Sequence, residues 1–205
     1  REPNKNENII DTRLGIETVM FNFSNSIEFN EEYQFISSKS AQIYTYYNKI
    51  ININDNLVYL QSYYGTGKSL YLPIILLSRC LKEEMKIPFL LMTCPTENYT
   101  YSIFEYFNLI LSKYVTIIKD TDKLIEIYNK YEESGKIDKI VLGILTPNDL
   151  LYLMYNLSKN RHFYPNTRFL VDDVQKRTIY TDILISKISE SKCFFTLPMN
   201  VILST

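Results

Sequence analysis

The sequence predicts an α/β fold, a mainly parallel sheet covered by helices on both faces in three layers. Three observations predict it. Short apolar runs with the composition of buried strands recur along the chain, and most are followed by a segment with helical spacing. The clusters of chemically useful residues fall where those runs end, and in parallel sheets ligands sit at the carboxyl ends of the strands. A glycine-containing loop, Gly65-Thr66-Gly67-Lys68-Ser69, stands between the first clear strand and the first clear helix.

Taken in order, residues 1–30 mix Asn, Glu and Ser with scattered Phe and Ile without a period, and read as an N-terminal arm preceding a single domain over 31–205. Residues 40–51 have helical spacing with a Ser at the start, and 52–56 form a turn cluster. Leu57 to Leu60 has the length of a buried strand, and 68–82 reads as a helix with Pro73 in its first turn. Strand 88–92 follows, then a helix over 99–113 and a mixed, partly charged stretch over 116–133 holding one or two elements. Strand 139–145, helix 148–157, strand 168–171, helix 181–188 and a fifth strand over 192–196 complete the expectation.

Composition limits the function classes. The 205 residues suffice for one domain with a sizeable core. Net charge is −1, so any affinity for phosphates must come from a local surface rather than a bulk basic field. Eighteen Tyr, eleven Phe and no Trp, with abundant Asn, Ile and Lys, match the coding bias of an AT-rich genome. Cys80, Cys94 and Cys193 are far apart and a single His162 accompanies them, so no zinc site of ordinary spacing forms. The odd cysteine count fits a reducing compartment, and an intracellular, cytoplasmic protein is expected. No apolar run approaches the roughly 20 residues of a membrane span, and the polar start does not resemble a signal peptide.

The chemistry begins at Ser62-Tyr63-Tyr64-Gly65-Thr66-Gly67-Lys68-Ser69, which fits GxxxxGK[ST] with Ser62 at the first glycine. Gly65 and Gly67 let the backbone curl so that successive N–H groups, that of Thr66 included, point at phosphate oxygens. The following helix adds the positive end of its dipole. Lys68 is placed to reach the β- and γ-phosphates of ATP, and the Ser69 hydroxyl to take one position on Mg²⁺. Downstream, Phe169-Leu170-Val171-Asp172-Asp173-Val174-Gln175 is an apolar run ending in acid. Alone it is an ordinary strand-to-turn junction; paired with the P-loop it reads as a Walker B site in which Asp172 orders Mg²⁺. His162 lies in a polar loop without a nucleophile motif and reads as non-catalytic. Tyr44, Tyr46 and Tyr47 read as core rather than as base-stacking residues.

Taken together, these segments resemble superfamily 2 helicases, nearest to the DEAH-box and viral NPH-II-like RNA helicases. Asp172-Asp173-Val174-Gln175-Lys176-Arg177 with Thr181-Asp182-Ile183-Leu184-Ile185 is similar to their Asp-Glu-x-His-x-Arg…Asp-Ile-Leu-Leu segment. The P-loop with Pro73 resembles motif I, Met92 to Thr96 stands at motif Ia, and Thr146-Pro147-Asn148-Asp149-Leu150-Leu151 is similar to Thr-x-x-x-Leu-Leu. Phe194 to Pro198 falls where the family has Ser-Ala-Thr. The resemblance, over about residues 40–199, implies the first RecA-like domain of an ATP- and Mg²⁺-dependent motor gripping RNA or DNA. Thr96 and Thr146 are its implied backbone-phosphate contacts. It also implies a second RecA-like domain, in cis or from another chain.

Departures from the pattern point toward a slow or silent ATPase. Asp173 replaces the water-positioning Glu, which draws the carboxylate back by about 1.5 Å, and a misplacement of about 1 Å can cost 10²-fold in rate. Gln175 replaces the coupling His, and Thr196-Leu197-Pro198 keeps one hydroxyl of the triplet. A degenerate, non-hydrolysing scaffold or regulatory subunit is therefore the alternative expectation. A small P-loop kinase is a third, lacking an arginine-rich lid.

Overall fold

A computed structural model describes residues 57–60, 68–81, 87–160, 162–194 and 200–204. The chain divides into two compact units, 1–54 with 64–85 and 55–63 with 86–205. In the first unit the described element is helix α1 (Lys68–Leu81), which buries Leu72, Ile74, Leu76, Leu77 and Cys80. Pro73 is its sixth residue rather than part of its first turn. It therefore removes an N–H that would reach back four residues.

The second unit is built on a six-stranded sheet with all pairs parallel, in the order β1-β6-β5-β2-β4-β3. The strands are β1 (Leu57–Leu60), β2 (Phe89–Thr93), β3 (Thr116–Ile118), β4 (Val141–Leu145), β5 (Thr167–Val171) and β6 (Asn200–Ser204). Between them run α2 (Glu97–Leu111), α3 (Thr121–Ser134), α4 (Pro147–Asn156) and α5 (Ile179–Phe194). The mixed stretch 116–133 thus resolves into β3 and α3. Strands β2, β4 and β5 are buried at every residue, the condition under which a strand reads as an unbroken apolar run rather than an alternation.

The layers follow from handedness. The step β2→β3 crosses the sheet one way, and β3→β4→β5→β6 steps back the other way. Right-handed crossovers therefore put α2 on one face and α3, α4 and α5 on the opposite face. The latter three pack side by side, α3 on α4 and α4 on α5. The core between that layer and the sheet joins Phe89, Leu91, Val141, Leu145, Phe169 and Val171 to Leu124, Tyr128, Leu150, Leu153, Leu184 and Ile188. Tyr128 stacks on Phe89 at 3.9 Å and hydrogen-bonds Thr167 Oγ1 at 2.7 Å, so its hydroxyl is satisfied despite full burial. Gly143 sits where a Cβ would meet Leu91 Cδ2 at 2.5 Å and Leu124 Cδ1 at 3.2 Å, so α3 lies close on β4 because that side chain is missing.

One expectation is overturned. Lys192 to Phe194 are the end of α5, and the strand expected over 192–196 is instead β6 at Asn200–Ser204. A short apolar run such as Cys193-Phe194-Phe195 carries no period that separates strand from helix. The expected arm over 1–30, the helix over 40–51 and the Tyr44–Tyr47 cluster lie outside the described residues.

Candidate functional site

Because every strand pair is parallel, the carboxyl ends of all six strands share one edge of the sheet. Lys119 follows β3, Cys94 to Thr96 follow β2, Thr146 follows β4 and Asp172 follows β5, while β1 and β6 end at Leu60 and Ser204. β2 is the topological switch: its helix α2 leaves over one face, while those of its neighbours β4 and β5 leave over the other. The loops after these strands diverge there and open a crevice.

In the first unit, Lys68 and Ser69 are the first two residues of α1, and Ser69 is half-buried. Ser62, Gly65, Thr66 and Gly67 lie outside the described residues.

At the end of β5, Asp172 is 4% exposed. Its neighbour Asp173 adopts φ 53°, the left-handed region that Asp tolerates better than most side chains. This reversal starts a tight turn in which the Lys176 N–H donates to the Asp173 carbonyl at 2.9 Å. The turn folds its own side chains onto the Asp173 carboxylate: Gln175 Nε2 donates to Oδ1 at 2.9 Å and Lys176 Nζ lies 2.8 Å from Oδ2. Arg177 turns away and forms a two-pronged pair with Asp182 at 3.0 and 3.2 Å, which raises the guanidinium pKa. Thr178 then starts α5, its Oγ1 accepting from the Thr181 N–H at 3.0 Å.

Cys94 joins the two loops. Burial pushes its thiol up to about 12, and the charge of Asp172 adds to the shift, followed by that of Asp173; a hydrogen bond with Thr100 acts the other way. Cys94 is thus a neutral thiol between the acid pair and the first turn of α2, not a nucleophile.

The two threonines are both helix N-caps. Thr96 Oγ1 accepts from the Tyr99 N–H at 3.3 Å. Thr146 closes a capping box: its Oγ1 accepts from the Asp149 N–H at 3.2 Å and donates to Asp149 Oδ2 at 2.7 Å, and its N–H reaches the same oxygen at 3.1 Å. The Thr146 hydroxyl proton is thereby directed at a carboxylate. A cleft of about 360 Å³ lies between the first turns of α2 and α4, lined by Glu97, Asn98, Thr100, Tyr101, Lys119, Thr146 and Asp149. In its wall Lys119 Nζ stands 4.2 Å from the Tyr101 ring centre.

Three further features complete the picture. His162 is half-buried, with Nδ1 3.1 Å from Asn166 Nδ2 and its ring edge-on to Tyr131, which makes it part of a loop scaffold. Of the segment Phe194 to Pro198, singled out as the hydroxyl-bearing motif, Phe194 is the last residue of α5 and the rest lies outside the described residues. Ser204 closes β6 at the site edge: it is paired with Leu60 in the backbone register, and extending the β5–β6 register by one residue sets it level with Asp172. Sequence reasoning missed it, although the β-branched run Val201-Ile202 before it carried the signal.

The buried Asp172 carboxylate is a hard oxygen donor of the kind Mg²⁺ takes, and Mg²⁺ usually needs one or two protein carboxylates beside phosphates and water. Among the described residues no group of three or more His, Cys, Asp or Glu comes together as an all-protein metal cage. Nor is any helix among the described residues long and apolar enough to cross a membrane.

The chain matches no protein-family model, and no curated protein matches it either.

Proposed function

We propose that this chain is an ATP-binding motor domain of a superfamily 2 type nucleic-acid helicase, acting on RNA. The observation that carries the reading lies within the second unit. An acid pair closing β5 and two threonine-capped helix N-termini following β2 and β4 share the carboxyl edge of one parallel sheet. Bound ATP–Mg²⁺ supplies the phosphoanhydride and the metal charge. In the first unit Gly65, Thr66 and Gly67 would belong to the phosphate-binding loop, Lys68 would neutralise the phosphates and Ser69 would offer its hydroxyl to Mg²⁺; in the second, Asp172 would be the carboxylate that takes the metal. Asp173 orients the attacking water, and Gln175 links it to the rest of the site. At the first turns of α2 and α4, after Thr96 and Thr146, the backbone N–H groups of Glu97, Asn98 and Asn148 would meet the strand's phosphates, those of Tyr99 and Asp149 being given to the caps. A second RecA-like domain, in cis or on another chain, is the partner that completes such a motor.

Lys68→Ala should abolish binding of a labelled non-hydrolysable ATP analogue; unchanged affinity would sink the reading. A second reading, a non-hydrolysing scaffold, is favoured by one observation: both Asp173 carboxylate oxygens are already engaged, by Gln175 and Lys176. Asp173→Glu separates the two. A sharp rise in RNA-stimulated turnover marks a weakened motor, and no turnover in either protein marks a scaffold.

A further inference from the structure

We propose that Lys176 is a positioning residue that restrains hydrolysis, a claim that rests on the ATPase reading above. Its ammonium latches the Asp173 carboxylate inside the turn, so that Asp173 can serve an attacking water only when the latch opens.

The backbone sets up the latch. Asp173 at φ 53° reverses the chain directly after β5, and the turn closes through the Lys176 N–H to the Asp173 carbonyl at 2.9 Å. That closure returns residue 176 to residue 173, bringing Lys176 Nζ within 2.8 Å of Oδ2. Gln175, on the same turn, takes Oδ1 at 2.9 Å. The neighbouring cation, Arg177, does not compete, because Asp182 holds it through two contacts. Lys176 is thus the cation that sets the direction of the Asp173 carboxylate.

Hydrolysis asks Asp173 to accept a hydrogen bond and then a proton from water. The water oxygen bonds to the terminal phosphorus while the bond from that phosphorus to the bridging oxygen breaks, releasing ADP and inorganic phosphate. An ammonium against one carboxylate oxygen opposes this by occupying that oxygen and pinning the orientation of the group. The Lys176 side chain is 54% exposed against 18% for Asp173, so the latch is a surface pair that salt screens and that a modest local rearrangement can open. It is therefore a restraint of moderate strength and not a permanent block.

The test compares the wild-type chain with Lys176→Met, Lys176→Arg and Asp173→Asn. Hydrogen exchange across the turn is measured without nucleotide, and hydrolysis at saturating Mg-ATP without RNA. Lys176→Met should speed exchange of the residue 176 amide and raise kcat about fivefold, the scale of one exposed ion pair, with KM unchanged. The wild-type kcat should rise with added salt as the pair is screened, and the Lys176→Met kcat should not. Lys176→Arg should behave as wild type in both readouts, and Asp173→Asn should speed exchange while hydrolysing nothing. Unchanged exchange in Lys176→Met overturns the latch. So does an unchanged kcat, or no turnover in any variant, while a labelled ATP analogue still binds. Failure of that analogue to bind wild type overturns the ATPase reading itself, and with it the proposed restraint.

Discussion

Thr146→Val separates the structural role of this threonine from a direct role in gripping a strand. Valine keeps the shape and removes the hydroxyl. Two contacts vanish: the acceptor for the Asp149 N–H at 3.2 Å and the donor to Asp149 Oδ2 at 2.7 Å. Loss of a helix N-cap costs about 1 kcal/mol. The bond to the carboxylate adds to this, but Asp149 keeps the Thr146 N–H at 3.1 Å and is half-exposed to water, so the sum stays near 1.5 kcal/mol. For a domain of this size the melting temperature should fall by about 3–6 °C. Thr146→Ser retains both bonds and should melt within about 1 °C of wild type. Binding to a fluorescent single-stranded RNA, measured well below both transitions, should change less than about twofold in either variant. The reason is that the hydroxyl proton already points at Asp149, so a phosphate at this helix must be met by backbone N–H groups. A tenfold loss of RNA affinity confined to the Val variant would refute this reasoning, as would a Val variant that melts like wild type.

Other perturbations probe the rest of the frame. Gly143→Ala pushes a methyl to 2.5 Å from Leu91 in a fully buried strand and should cost about 1–3 kcal/mol by thermal melting; an unchanged melting temperature would mean that α3 and β4 are less tightly packed. Tyr128→Phe removes one hydrogen bond, but Thr167 still donates to the Phe163 carbonyl, so about 1 kcal/mol should be lost in urea unfolding. Cys94 stays protonated in the folded chain up to about 12 against 9.0 for a free thiol, so at pH 8 it should react with iodoacetamide about a thousandfold more slowly than an exposed thiol. The linked stability has a definite sign. The folded pKa is raised, so the contribution is fully present below pH 9 and is lost as pH climbs toward 12.

The central strands were legible because burial on both faces writes them as unbroken apolar runs. Buried threonines extend β2 at Thr93 and β5 at Thr167 by one residue, while β4 starts two residues later than expected, at Val141. The stretch 116–133 was not legible as two elements. β3 is a three-residue strand at the sheet edge, too short to show a period, and the charged face of α3 masks its apolar stripe. Its termini were nonetheless written: Asp120 caps the first turn through two N–H groups, and Gly135 ends the helix at φ 64°. At the site, the positions of Asp172 and of both threonine caps could be read from strand ends. The engagement of Asp173 could not, because it depends on a left-handed residue that returns Lys176 to it. A lysine three residues after an aspartate is, in sequence, only a loop charge.

The error at the far end of the sheet is the more instructive one. Cys193-Phe194-Phe195 is apolar enough for a strand and stands at a plausible interval after Asp172, so it drew the hydroxyl-bearing motif onto Thr196. The helix before it is longer than its apolar spacing suggested and runs through Phe194. Only after it does Asn200-Val201-Ile202-Leu203-Ser204 enter the sheet between β1 and β5. A parallel sheet has a direction, and its ligand edge is the one at which the strands end. Among the described residues, the departures that pointed toward a slow ATPase are local to the turn after β5: the shorter acid at Asp173 and Gln175 beside it, together with the Lys176 latch. If hydrolysis is slow in this chain, the cause should be sought in those few residues, which point substitutions can restore one at a time.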